Sequence, residues 1–369
     1  VLNQLGAFAL PFLAVLAGAG RAALVLAVFG GAALVSRRAG GVLLDRMAPR
    51  SVIVLGLTAT GVALLALAAA RGTAQITTAT ALAGLAFELY EPATQEALAR
   101  HTDAARRDAV YGLLGTSLVA AGAAAGLLAA VLLPLGVRWL IVVDGATCLA
   151  AAGVAAAFTG RQPLRRRVRD DRWRPPGPLV RLTAAGTAFA CGTLAVLLFA
   201  PLVLLERGAP PWLPGLVLTC AAVLAPVTGH LGRRVLRGAG TERVLAAGSA
   251  VLGALALVMA AGRAVPLTVA AYLAWAAADS VLQGRWPALI ADLAPAEDRP
   301  RWFAFHGMSW GVAQPAVPAL AALTGGALAT GGAVFLAVPP LLAAGRLAQR
   351  LKITARTRSA STEHTTNKQ

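Results

Sequence analysis

Residues 35–52 read VSRRAGGVLLDRMAPRSV and close an apolar run that begins near Ala22. Two arginines, Arg37 and Arg38, stand inside that run, ahead of a polar turn opened by Asp45 and Arg46. If residues 22–44 form one helix, Arg38 lies about 10 Å along the axis from Asp45. Charge at that depth is carried only where the side chain reaches an interface, a cavity or a partner. The solvent around the helix decides which, so the rest of the chain has to be read first.

Of 369 residues, 58% are hydrophobic and only 13% charged, with a mean hydropathy of +0.71; an ordinary soluble domain is about 25% charged. Apolar runs recur at residues 52–70, 113–135, 139–158, 182–205, 244–261 and 267–281, each bounded by charge, Gly or Pro. Most approach the ~20 residues that a membrane helix needs. The pattern predicts an all-α integral membrane protein with about twelve transmembrane helices, whose first partner is the lipid bilayer.

The net charge of +17 would suit nucleic acid if the basic residues were clustered on one soluble face. Their placement excludes that partner. With a cytoplasmic N-terminus and strict alternation, most of the 33 Lys and Arg fall on one side, in clusters such as Arg106–Arg107, Arg165–Arg167 and Arg233–Arg234. The opposite turns hold Arg21, Arg71, Arg138, Arg207 and Arg263, one apiece. This is the positive-inside asymmetry, and it predicts an even helix count with both termini cytoplasmic, in the inner (plasma) membrane of the cell. Cys148, Cys191 and Cys220 are isolated inside apolar runs, so neither a disulfide framework nor a zinc site is expected, and no cofactor is implied. No cleavable signal precedes the first run; either that helix is its own insertion signal or starting residues are missing.

The longest hydrophilic interruption, GRQPLRRRVRDDRWRPPGP at residues 160–178, reads as a cytoplasmic linker. It divides the chain into a six-helix unit at 1–160, a basic linker at 161–178, a second six-helix unit at 179–350 and a disordered polar tail at 351–369. The last helix, AVFLAVPPLLAAG, is the weakest of the twelve, being short and carrying Pro339 and Pro340. The halves also align. EPATQEALARHTDAARRDAVYG, ending at Gly112, lies without a gap over WPALIADLAPAEDRPRWFAFHG, ending at Gly307, pairing Pro92 with Pro287, Leu98 with Leu293 and Arg106 with Arg301. The constant offset equates the fourth and fifth helices with the tenth and eleventh, as duplication of a six-helix unit would.

At the turn after the second helix, Gly41, Asp45, Arg46 and Arg50 resemble the loop motif of the major facilitator superfamily, with Ala48 and Pro49 departing from it. The resemblance extends to the twelve runs, the basic central linker, and the Pro92-Ala93 and Pro287-Ala288 pairs. It implies two six-helix bundles related by a pseudo-two-fold axis, rocking about a central site to give alternating access. It also gives Gly41, Asp45, Arg46 and Arg50 a gating role. Gly41 permits close helix approach, while Asp45 and Arg46 at a helix end can pair across a cytoplasmic interface that opens in the cycle. The plainer reading is that these charges mark a solvated turn. In the fifth helix, Gly122 and Gly126 have the spacing of a close helix contact. The family's exporter signature would add a Gly-Pro pair there, which is absent, and the sugar-porter signature is absent after the sixth helix.

Within the apolar runs stand Arg37, Arg38, Glu88, Glu91, Asp144, Asp279 and Arg285. Each charge at a helix centre costs ~2.5–3.5 kcal/mol on insertion scales, so a cavity or partner is expected. Glu88 and Glu91 share a helix face with Gly84 and Gln95, at a depth comparable with Arg38. The arginines are therefore candidate counter-charges for the two glutamates; the alternative is that all of them snorkel to the interface. On the tenth helix Asp279, Gln283 and Trp286 form a matching stripe, with Gln283 at the repeat position of Glu88 and Arg285 off the stripe. Asp279 carries a proton, binds a cationic substrate, or is structurally paired. Asp144 and Glu206 read as interfacial, and His306 as a polar helix-end residue.

These features point to a secondary transporter, proton-coupled and exporting an amphipathic organic compound or drug, with substrate and proton contacts at Arg37, Arg38, Glu88, Glu91, Asp279 and Gln283. An importer of a small metabolite, or a non-transporting sensor or scaffold, is the alternative. A membrane enzyme is disfavoured because the non-cytoplasmic turns are too short to hold a catalytic cluster.

Overall fold

The computed structural model describes residues 9–44, 46–90, 93–94, 107–158, 174–236, 238–295 and 298–343. Every regular element among them is helical. In chain order the first half contributes α1 (Ala9–Ala17), α2 (Ala19–Leu44), α3 (Pro49–Ala69), α4 (Thr73–Phe87), α5 (Arg107–Leu132), a 3-10 turn (Leu133–Leu135) and α6 (Val137–Phe158). The second half contributes α7 (Gly177–Glu206), α8 (Leu213–Val235), α9 (Thr241–Ala261), α10 (Val265–Leu282), α11 (Arg285–Leu293), α12 (Arg299–Thr324) and α13 (Ala327–Ala343). Seven spans among the described residues are long and apolar enough to cross a bilayer, counting α10 with α11 as one; α12 and α13, bent by 119°, qualify only as a pair.

Local chemistry sets these boundaries. Prolines occupy the first turn of α3, α7, α8, α10 and α12, where a missing N–H leaves no hydrogen bond unmade. Between α1 and α2 the chain reverses on Gly18 alone, at φ 74°, a conformation that a side chain disfavours. Similarly short connections join α3 to α4, α5 to α6, α7 to α8, α9 to α10 and α12 to α13, and alternation puts all six at one end of the bundle.

Two of the single arginines at this short-turn end, Arg138 and Arg207, close helix ends. Arg138 Nη1 donates to the carbonyls of Ala68 and Ala70, 2.6 and 2.5 Å away, closing the C-terminus of α3. Arg207 donates to Thr268 Oγ1 at 2.5 Å and to the carbonyl of Met259 at 2.7 Å, closing α9, the repeat counterpart of α3. Each supplies a cation to carbonyls that a helix end leaves unpaired.

Among the described residues, the halves are joined chiefly by α2 with α12, α5 with α8, and α1 with α7. Under the repeat, α2 exchanges with α8 and α5 with α12, so the first two pairs map onto each other and the third onto itself, as a pseudo-two-fold axis requires. Glycines mark the closest approaches. A Cβ on Gly215 of α8 would lie 2.7 Å from Ala129 C and Ala130 Cα of α5, and one on Gly30 of α2 would lie 2.5 Å from Gln314 O of α12. Gly126 likewise meets Thr219 of α8, whereas Gly122 has nothing within 4 Å, so only one glycine of the expected pair makes the contact. Counted along their helices, these approaches lie within about 16 Å of the short-turn end.

The repeat also shows in where helices break. α4 ends at Phe87 and α10 at Leu282, so Glu88 and Gln283 take equivalent places just past a helix end. In the second half the break turns on Gly284, at φ 80°, before α11 resumes the span.

Candidate functional site

Glu88 accepts a hydrogen bond from Gln314 Nε2 of α12 at 3.0 Å, so the broken fourth span is tied to the opposite half. Gln314 sits where α12 is loosened. Pro318 has no N–H to offer the carbonyl of Gln314, and that carbonyl faces Gly30 of α2. His306, Trp310 and Gln314 follow at intervals of four on one face of α12. This stripe leads from Glu88 to a cavity within the second half.

The cavity, of about 510 Å³, is lined by α7, α10, α11 and α12. Asp279 and Gln283 enter it from α10 and Trp286 from α11, so the stripe seen in the sequence opens on one space. Gln283 Nε2 approaches Asp279 Oδ2 at 3.4 Å. Arg285, off the stripe, turns its Nε to the Val281 carbonyl at 3.2 Å. Phe189 and Trp286 meet edge to face at 5.6 Å, and Trp286 stacks on His306 at 5.5 Å and 28°. Gly186 of α7 makes room for that imidazole: a Cβ there would come within 3.0 Å of His306 Nε2.

Among the described residues, three buried polar atoms of the side chains in this wall lack a hydrogen-bond partner: Thr193 Oγ1, Trp286 Nε1 and His306 Nδ1. A buried unmade hydrogen bond costs ~1–3 kcal/mol, so the wall favours an occupant that supplies polar atoms. The lining otherwise consists largely of apolar and aromatic side chains, suited to a hydrophobic body with a few polar groups.

The remaining sequence candidates are dispersed. Arg37 lies on α2, its side chain outside the described residues, and Arg38 is exposed on the same helix. Glu91 and Asp45 fall outside the described residues, as does the neighbourhood of Gly41. Arg46 is exposed, while Arg50 donates through Nη2 to the carbonyl of Ala156 near the end of α6, within its own half.

One expectation is corrected: His306 lies about two turns into α12, in the cavity wall, and not at the helix end. Asp144 is buried, at 9% exposure, where α6 packs on α3 through the facing glycines Gly61 and Gly145. Gln314 escaped the sequence reading altogether, although its spacing from His306 and Trp310 would have revealed the stripe.

No curated protein matches the chain. Among solved structures, it is similar to a POT family transporter in complex with a thioalcohol-conjugated peptide, with TM-score 0.73 and 12% identity over 96% of this chain and 94% of that one. It is also similar to a bacterial homologue of the iron transporter ferroportin in an inward-facing state, with TM-score 0.69 and 14% identity over 93% and 96% of the two chains. A third likeness is to the nucleoside transporter NupG, with TM-score 0.69 and 10% identity over 94% and 97%. At these identities the likeness establishes the fold alone. The family model of the Major Facilitator Superfamily matches residues 3–318, nearly the whole described bundle, and the chain belongs to that superfamily of multi-pass membrane transporters.

Proposed function

We propose that the chain is a proton-coupled exporter of an amphipathic organic compound, with both termini and the 161–178 linker on the cytoplasmic side of the cell's inner membrane. It works by alternating access between the units at 1–160 and 179–350. The observation that carries this reading is the bond from Gln314 to Glu88, which links a carboxylate at the break of α4 to the other half. A bond to an ionised acceptor is roughly twice as strong as one to a neutral acceptor. Proton arrival at Glu88 therefore loosens the tie between the halves, and proton departure restores it. Arg37, Arg38 and Glu91 serve the same proton pathway, and Asp45 with Arg46 biases the state in which the cytoplasmic ends are joined. The cavity at Asp279 and Gln283 supports an amphipathic substrate, because apolar and aromatic walls surround few polar groups.

Proteoliposomes with an imposed pH gradient test this with ethidium as probe. The parent protein is expected to move ethidium against proton flow, and Glu88→Gln to retain downhill flux while losing most of its response to the gradient. Full gradient-driven flux in Glu88→Gln would refute the assignment of the proton to this residue, and downhill flux indifferent to pH in the parent would refute coupling.

A further inference from the structure

The cavity differs from a path between the halves in that α7, α10, α11 and α12 all belong to the second half. Its volume, about 510 Å³, falls within the ~300–1,000 Å³ of sites for small organic ligands. Asp279 is the one carboxylate in its lining, and among the described residues no basic side chain forms an ion pair with it. The nearest arginine in sequence, Arg285, is engaged by a backbone carbonyl instead. The indole N–H of Trp286 is a donor only and is buried with no acceptor among the described residues. Phe189, Trp286 and Trp310 supply flat faces around these two groups.

We propose that this cavity is a binding site, carried by the second half alone, for a planar aromatic compound bearing a protonated amine and a hydrogen-bond acceptor. The ammonium sits at Asp279, where the carboxylate keeps lone pairs beyond the one facing Gln283. The acceptor oxygen or nitrogen takes the N–H of Trp286. The ring lies against the aromatic wall, where a nearby cation is also favoured by the ring faces. Thr193 Oγ1 and His306 Nδ1 offer further bonds to polar atoms of the same ligand.

This site deepens the export reading and rests on it for its biological role, but it is tested at equilibrium with no gradient. Binding of tetracaine, which carries an aromatic ring, an ester carbonyl and a protonated tertiary amine, is measured calorimetrically on the purified full chain. Butyl 4-(butylamino)benzoate keeps the ring and the ester and lacks the ammonium. The parent binds tetracaine more tightly than the neutral ester. Asp279→Asn weakens tetracaine by about tenfold or more, as loss of a charged partner does, and leaves the neutral ester within about twofold. Trp286→Phe, which keeps a ring and removes only the N–H, weakens both probes by about fivefold. The proposal is overturned if the parent does not prefer tetracaine, if Asp279→Asn affects both probes alike, or if Trp286→Phe changes neither. Should Asp279→Asn fail to fold, the parent's preference and Trp286→Phe still decide. Ethidium flux without this binding pattern removes the site and leaves transport standing; the binding pattern without flux does the reverse.

Discussion

Replacing Gly215 by alanine should open the short-turn end of the molecule. The added Cβ would meet the backbone of α5, 2.7 Å from Ala129 C and Ala130 Cα, and backbone cannot swing aside as a side chain can. Ordinary carbon contacts are about 3.5–4.0 Å, so α5 and α8 must part by roughly 1 Å to admit the methyl group. Overpacking of this kind costs about 1–3 kcal/mol. That cost falls on the state with the short-turn end shut and not on one in which the helices stand apart. The ratio of shut to open therefore moves by about 5- to 150-fold. Thr219, whose hydroxyl reaches the Ala123 carbonyl across the same contact at 3.4 Å, is the place for a reporter. With Cys148, Cys191 and Cys220 replaced and Thr219→Cys introduced, labelling by a water-soluble maleimide should accelerate about tenfold in the Gly215→Ala background. Gly122→Ala, on the same helix but with nothing within 4 Å, should leave the rate unchanged. If a monodisperse Gly215→Ala protein labels at the parent's rate, or Gly122→Ala labels as fast, the close approach does not hold that end shut.

Arg138→Ala removes two charged hydrogen bonds to the end of α3 and should lower stability by about 1.5–3 kcal/mol, read as a lower melting temperature in detergent; Arg71→Ala, at an exposed position of the neighbouring turn, should lower it little. Reporter fusions in the 161–178 linker and at Arg138 should report opposite sides of the membrane, and the same side for both would overturn the orientation inferred from charge.

The fold was legible because apolar runs of membrane length leave few alternatives once the basic residues are placed. The repeat was legible for a related reason: Glu88 and Gln283 interrupt their helices at the same place, and the sequence carries that register in Pro92 and Pro287. Helix faces were harder. Asp279, Gln283 and Trp286 share one face by arithmetic alone, whereas Asp144 depends on which helix α6 meets, a matter settled by Gly61 and Gly145 in a contact far apart in sequence. The spacing of Gln314 from His306 and Trp310 puts it on their face of the helix, but beside Pro315 and Pro318 nothing local marks it as the donor that crosses to the other half. Gly122 and Gly126 were indistinguishable in sequence, and only the position of α8 separates them.

The seam at the short-turn end is dry in its chemistry. Gly215 against Ala129 and Ala130, and Gly30 against Gln314, are approaches of backbone to backbone. Among the described residues the one hydroxyl crossing it, that of Thr219, also donates within its own helix, to the Gly215 carbonyl at 3.0 Å. Parting α5 from α8 forfeits dispersion and strands no backbone donor, whereas parting α2 from α12 opens to water the Gln314 carbonyl that Pro318 leaves without its helical N–H. Closing again requires no search among alternative partners, since smooth surfaces fit in one register wherever the glycines come opposite. A joint of this kind wears like a hinge plate rather than a clasp: fast to open, fast to shut, and sensitive to a single methyl group.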